Sequence, residues 1–132
     1  MIHIPKKIYD LIVNHAKAGF PNEACGILAG QDEEATSFFP MTNMDKSSIS
    51  YFMDPKEQLT VFKKMRETSE QMLGIVHSHV ASEAYPSKKD IRLAFYPEVS
   101  YLIVSLSDRE KPVLRSFKIK DEKVTEEEVK II

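Results

Sequence analysis

Two of the chain's four histidines, His77 and His79, stand two residues apart directly after the apolar run Gly74-Ile75-Val76. In an extended strand, side chains at i and i+2 leave the same face, with Cα atoms about 6.5 Å apart. Two imidazoles so placed can converge on one ion, at zinc–nitrogen distances of about 2.0–2.1 Å. Ser78, between them, must point the other way. A third ligand has to come from another element, and Asp90 is the candidate. It follows Ser87 by three residues in "PSKKD", which puts both on one face of a short helix that Ser87 would cap. Two histidines, one carboxylate and an open fourth position are the donor set of a catalytic zinc rather than a closed structural one.

A water at such a site has its pKa lowered to about 7, and hydrolysis then needs a group that takes and returns a proton. Glu83 follows the histidines in a loop, out of useful phase. Glu23, in "PNEACGILAG", precedes a short apolar run. Its carboxylate is therefore expected at the mouth of a buried strand, in a partly desolvated pocket. Ser87 offers a hydroxyl to the oxyanion of a tetrahedral intermediate, a donor whose loss typically costs about 10²–10³ in rate.

The elements that must position these groups follow from periodicity and punctuation. "MIHIP" alternates as a short strand, and "KKIYDLIVNHAKAG" sets Ile8, Leu11, Ile12 and Ala16 at helical spacing, ending near Gly19. "ACGILAG" reads as a buried strand, and "TSFFPM" and "SYFM" as further strands joined by the polar stretch "TNMDKSSI". A second helix starts at Asp54, with Pro55 in first position and Glu57 completing a capping box; Leu59, Phe62 and Met65 form its inner stripe. "MLGIVHSH" reads as a central strand and "PSKKDIRLAFYP" as a short helix with Asp90 at its third position. "SYLIVSL" is the strongest strand signal, paired with "VLRSFKIK" across the turn "SDREKP", while "TEEEVKII" suits either a short helix or an edge strand. Helices and strands mix without repeats or linkers, which predicts one domain over residues 1–132, α/β or α+β in class, around a mostly buried mixed sheet.

Composition narrows the function. The chain has 132 residues and 42% hydrophobic content, enough for one core. A net charge of −2 argues neither for nucleic acid nor for disorder. The one cysteine, Cys25, excludes an intrachain disulfide. No apolar leader and no apolar run of about 20 residues is present, so a soluble cytoplasmic protein without membrane contact is expected. Cys25 has no paired base in its neighbourhood and reads as a small buried residue. His3 and His15 read as structural or surface groups, and Glu126, Glu127 and Glu128 as a solvated face.

Glu23-Ala-Cys-Gly-Ile-Leu-Ala-Gly, followed by His77-Ser-His79, seven residues, Ser87, two residues and Asp90, resembles the motif of the JAMM (MPN+) zinc metalloproteases at every spacing. The likeness extends over most of the chain and is closest to the short bacterial and archaeal members. It implies a cytidine-deaminase-like α/β/α sandwich with a mixed curved β-sheet. It implies zinc held by His77, His79 and Asp90, with Glu23 as general acid/base and Ser87 stabilising the oxyanion. It further implies cleavage of a peptide or isopeptide bond after the C-terminal Gly-Gly of a ubiquitin-like or sulfur-carrier protein, including removal of an appended cysteine. Family members commonly have proline after the second histidine, where this chain has Val80.

Blander readings compete. Ser87 and Asp90 alone would be a plain helix cap, and the two histidines could be core residues, although two on one strand face make a poor core. Other zinc families fit worse. A cytidine deaminase needs Pro-Cys-x-x-Cys, an amidohydrolase barrel needs at least about 200 residues, and no HExxH is present. A non-catalytic MPN-type scaffold module and a zinc hydrolase of small peptides are the alternative functions. The sequence leaves a homodimer open. A small domain without large insertions also suggests a groove beside a sheet edge, where an extended peptide would bind by strand addition.

Overall fold

Strands that are covered on both faces read as continuous apolar runs, and three runs here form the middle of the fold. They are β2 (Cys25–Gln31), β4 (Gln71–His79) and β5 (Ser100–Ser105), of which β5 is buried throughout. The computed structural model describes residues 1–132. Around the central strands it places β1 (Ile2–Ile4), α1 (Lys6–Gly19), β3 (Glu34–Met41), α2 (Pro55–Glu67), α3 (Lys88–Arg92), β6 (Val113–Lys120), β7 (Lys123–Glu127) and β8 (Val129–Ile131). All eight strands form one sheet in the order β7-β6-β5-β4-β2-β3-β1-β8. It is mixed: β4 runs parallel to β5 and antiparallel to β2, while β1 runs parallel to β3 and β8.

The sheet is strongly curved. Its edge strands β7 and β8 lie at opposite ends of the strand order, yet only Glu128 separates them in sequence. One residue spans at most about 3.6 Å, so the sheet curls until its edges nearly meet. Glu127 lies at this seam. Its carboxylate accepts from the Ser100 hydroxyl and, at 2.7 Å, from the Ser116 hydroxyl, and lies 3.6 Å from the terminal amine of Met1. Glu127 is therefore not part of a solvated face, whereas Glu126 is exposed and pairs with Arg115.

Helices cover both faces. On one, Ile8, Ile12 and Ala16 of α1 pack with Leu28, Val76, Leu102 and Val104. On the other, Val61 and Met65 of α2 pack with Ile27, Ile75, Tyr101 and Ile103, and Ile91 of α3 joins them. This is the expected α/β/α layering. Close approach of β2 to β3 needs Gly26, because a Cβ there would lie 2.6 Å from the Phe38 ring and 2.8 Å from the Phe39 carbonyl. Strand alternation then assigns the sides of β4: Val76 and Ser78 face α1, and Ile75, His77 and His79 face α2.

Several local expectations change. In α1 the inner face is Ile8, Ile12, Val13 and Ala16, with Leu11 half exposed. In α2 the Asp54 cap forms, accepting from Lys56 N at 2.9 Å. Glu57 does not close a capping box, because both its oxygens bond to Thr42, at the backbone N (2.7 Å) and the hydroxyl (2.8 Å). Gln58, not Leu59, takes the inward position of that turn and donates to the Met53 carbonyl, leaving Leu59 63% exposed. "SYFM" forms no strand beyond a single bridge between Asn43 and Met53. Asn43 instead organises residues 42–54 as a loop, accepting from Asp45 N and Phe52 N and donating to the carbonyls of Glu23 and Ser50. No helix is long and apolar enough to cross a membrane.

Candidate metal centre

The centre is assembled by the register between β2 and β4. Cys25 pairs with His77. One step further, Ser78 clamps Ala24 twice, donating its N–H to the Ala24 carbonyl at 2.9 Å and accepting from Ala24 N at the hydroxyl, at 2.8 Å. The serine between the histidines therefore points away from them, as alternation requires, and fixes the residue next to Glu23. The same register sets Glu23 across from His79. On its other side β4 is laddered to β5, with His77 opposite Ile103 and His79 opposite Ser105. The histidine strand has no free edge, so a peptide cannot bind beside it by extending β4.

His77 and His79 are 2% and 4% exposed. His79 donates its Nδ1–H to the Glu83 carbonyl at 2.8 Å. That bond selects the tautomer whose lone pair is on Nε2. Glu83 thus contributes its backbone, not its carboxylate, and its loop is held by the Ser105 hydroxyl donating to the Ser82 carbonyl at 2.6 Å. The loop delivers Ser87 to the start of α3. There Ser87 Oγ accepts from Asp90 N at 3.0 Å, and Asp90 Oδ2 accepts from Ser87 N at 2.9 Å. The expected capping box is present, and it aims the carboxylate: the same Oδ2 lies 3.2 Å from His77 Nε2 and 3.1 Å from His79 Nε2. The two Nε2 atoms are 3.2 Å apart.

Three acceptor-bearing atoms in mutual contact need protons or a cation among them. A tetrahedral ion with bonds of about 2.0–2.1 Å requires ligand separations of about 3.3–3.4 Å. The observed triangle is about 0.1–0.3 Å smaller on each side, so His77, His79 and Asp90 fit a zinc ion with slight spreading. The charge states of His77 and Asp90 suit it too, while His79 must give up a proton to bind. Burial holds the His77 imidazole below its ordinary pKa, against the pull of Asp90. Burial works to raise Asp90, but its hydrogen bonds with both histidines prevail and hold it well below the usual carboxylate range. For His79, burial is outweighed by the bonds to Asp90 and the Glu83 carbonyl, and its pKa rises.

Glu23 sits beside this triangle, 6% exposed. Its backbone is pinned, N donating to the Ser47 carbonyl at 2.8 Å and the carbonyl accepting from Asn43 at 3.0 Å. Its Oε1 is buried with no hydrogen-bond partner. Burial pushes the carboxyl up to about 7, moderated by His79, reinforced by Asp90 and eased by Lys89. A buried acid with that pKa and a free oxygen can take or give a proton near neutrality. Ser87 is exposed, and because its oxygen accepts from Asp90 N its own proton remains to be donated outward. Cys25 stays a thiol, pushed up to about 12 by burial, and His15 meets the Cys25 carbonyl at 2.9 Å. All five residues singled out from sequence thus come to one place. Tyr51 was not foreseen: its ring stacks on His77 at 4.5 Å. Nothing in the spacing of that loop signals it. Tyr51 also lines a cavity of about 270 Å³ that reaches Asp90, walled by Phe52, Leu93, Phe95 and Tyr96.

Known proteins resemble this chain in sequence and in fold. The family model for prokaryotic homologs of the JAB domain matches residues 5–120. A CysO-cysteine peptidase of Mycobacterium tuberculosis is 41% identical over 127 residues, covering 95% of this chain and 87% of its own. A desampylase of Haloferax volcanii is 32% identical, covering 76% of this chain and 77% of its own. A Desulfitobacterium hafniense protein known from a solution structure superposes with a TM-score of 0.92 at 45% identity, over 100% of this chain and 93% of that one. A JAB1/MPN domain protein from Archaeoglobus fulgidus shares the fold, with a TM-score of 0.66 at 17% identity over 100% of this chain and 97% of that one. On sequence, fold and the pattern of its converging side chains, the chain belongs to the prokaryotic homologs of the JAB domain, the short prokaryotic kind of JAMM metalloprotease.

Proposed function

We propose that this JAMM-type peptidase is zinc-dependent and cleaves after the C-terminal Gly-Gly of a ubiquitin-like or sulfur-carrier protein. The observation that carries the reading is the triangle of His77 Nε2, His79 Nε2 and Asp90 Oδ2, with a buried, unpartnered carboxylate oxygen of Glu23 beside it. Those three side chains would hold the ion. When bound, zinc supplies a Lewis acid that polarises a carbonyl and makes a water nucleophilic near neutral pH.

The chain's own groups do the rest. Glu23, deprotonated, takes the proton of the attacking water on Oε1 and later gives it to the leaving amine, a double duty its position near pKa 7 allows. Ser87 donates a hydrogen bond from its hydroxyl to the developing oxyanion and keeps its proton. His79, locked by Glu83, and Asp90, locked by the capping box, keep their ligand atoms aimed without rearrangement.

The names of the relatives, a CysO-cysteine peptidase and a desampylase, support a bond at the end of a small carrier protein. The higher identity to the former favours a small leaving group such as one cysteine. Glycine suits the residues at the bond because it has no Cβ to crowd a centre closed in by strand and helix, while the aromatic-walled cavity beside Asp90 gives the preceding tail a place to lie. The test incubates zinc-loaded protein with carrier fusions that have Gly-Gly or Ala-Ala before the junction, and follows intact mass. Cleavage confined to Gly-Gly supports the reading. Equal rates, or cleavage of free small peptides only, would replace it with a general zinc peptidase.

A further inference from the structure

A histidine that ligates a metal ordinarily donates its other ring N–H to a carboxylate, a carbonyl or a water, which fixes the tautomer and the ring plane. His79 has such a bond, to the Glu83 carbonyl. His77 does not: its Nδ1 is buried and has no hydrogen-bond partner. What it has is an aromatic face. The Tyr51 ring lies with its centroid 4.5 Å from that of His77 and its plane inclined by only 21°. Rotation of the imidazole about its Cβ–Cγ bond would drive a ring edge into the phenol. His79 borders His77 at 5.0 Å and 62°, which limits the swing on another side.

Tyr51 is itself held on both flanks. Asn43 accepts from Phe52 N at 3.0 Å and donates to the Ser50 carbonyl at 2.9 Å, so the residues before and after Tyr51 are tied to one side chain. The same Asn43 amide reaches the Glu23 carbonyl at 3.0 Å. The ring is thus placed by the loop that also fixes the proton-transfer residue, and its outer side faces the cavity next to Asp90.

We propose that Tyr51 is a positioning residue for His77, whose stacked ring replaces the missing Nδ1 hydrogen bond and keeps Nε2 turned toward His79 and Asp90. This rests on the reading of His77, His79 and Asp90 as metal ligands. Loss of a group that orients a ligand typically weakens metal binding about 10–100-fold. The effect should follow the aromatic face rather than the hydroxyl.

The experiment compares wild-type protein with Tyr51→Phe, Tyr51→Leu and Tyr51→Ala. Zinc affinity is read by chelator competition, the ligand field by the visible spectrum of the cobalt-substituted protein, and stability by thermal unfolding of the metal-free form. Tyr51→Phe should match wild type in affinity and spectrum. Tyr51→Leu and Tyr51→Ala should bind zinc at least about tenfold more weakly and show a shifted cobalt band. If those two do not fold, Tyr51→Trp and Tyr51→Met make the same comparison with and without an aromatic face. A lower Tm in the aliphatic variants, with unchanged zinc affinity and cobalt spectrum, means mere packing and overturns the proposal. Failure of the wild type to bind zinc overturns the metal reading itself.

Discussion

Replacing Glu23 with Gln should make the metal-free protein more stable and the loaded enzyme nearly inactive. The carboxyl is 6% exposed, one oxygen has no partner, and burial pushes its pKa from an ordinary 4.5 to about 7. The sign follows from proton binding. Between pH 4.5 and 7 the folded chain keeps a proton that the unfolded chain has released, so stability falls as pH rises through that window and is level above it. At 1.36 kcal/mol for each pKa unit, the wild type forfeits up to about 3 kcal/mol by pH 8. Glutamine is isosteric and carries no charge, so it avoids this loss. Denaturant unfolding of chelator-treated Glu23→Gln and wild type should give matching stabilities near pH 4.5. The variant's advantage should then grow to roughly 1–3 kcal/mol at pH 8. Turnover of the zinc-loaded variant should fall by about 10²–10⁴, the usual worth of a general acid–base group. A variant equally or less stable than wild type at pH 8 would refute the argument, since the carboxylate would then be stabilised by the fold. A variant with near wild-type kcat would move the proton-transfer role elsewhere.

Further outcomes are expected around the same centre. Asp90→Asn should leave the helix cap largely intact but abolish tight zinc binding, with metal content near one per chain in wild type and well below it in the variant. Ser87→Ala should lower kcat about 10²-fold with little change in KM; it also removes a cap worth about 1 kcal/mol, so thermal unfolding must accompany the kinetics. Ser78→Ala leaves the Ala24 N–H buried without its acceptor and should cost about 1–3 kcal/mol and reduce kcat through displaced Glu23, while Ser78→Thr restores the acceptor and should recover both.

The site was more legible than the loops that hold it. His77, His79, Ser87 and Asp90 lie on two short elements whose geometry is local, one strand and one helix turn, so spacing alone set their faces. Glu23 is distant in sequence. Its place depends on the pairing of Cys25 with His77, which no local pattern encodes; the apolar run after it made it a candidate, and the family likeness strengthened that reading. Tyr51 depends on Asn43 gathering the backbone of residues 42–54, a tertiary arrangement in a stretch whose short apolar run, Tyr51-Phe52-Met53, reads as a strand. Glu57 shows the same limit: its position three residues after Asp54 fits a capping box, but Thr42 offers two better-placed donors. Leu59 was assigned inward on apolarity, whereas the helix phase set by Val61 and Met65 puts Gln58 there. Which strand a peptide could extend was not legible either: β4 is central and paired on both sides, so only a sheet edge away from the histidines could take one.

The pairing of β1 with β8 has a consequence for the order of assembly. Ile2, His3 and Ile4 register with Val129, Lys130 and Ile131, whereas β1 meets β3 at one position only. β1 therefore cannot complete its ladder until residues 129–131 have been made. Contacts so far apart in sequence raise the contact order and slow folding. Until they form, Ile2 and Ile4, buried in the finished protein, stay open to solvent or to chaperones. Synthesis rate, and any break in the chain before residue 129, should thus weigh more heavily on the yield of this domain than on that of one closed by neighbouring strands.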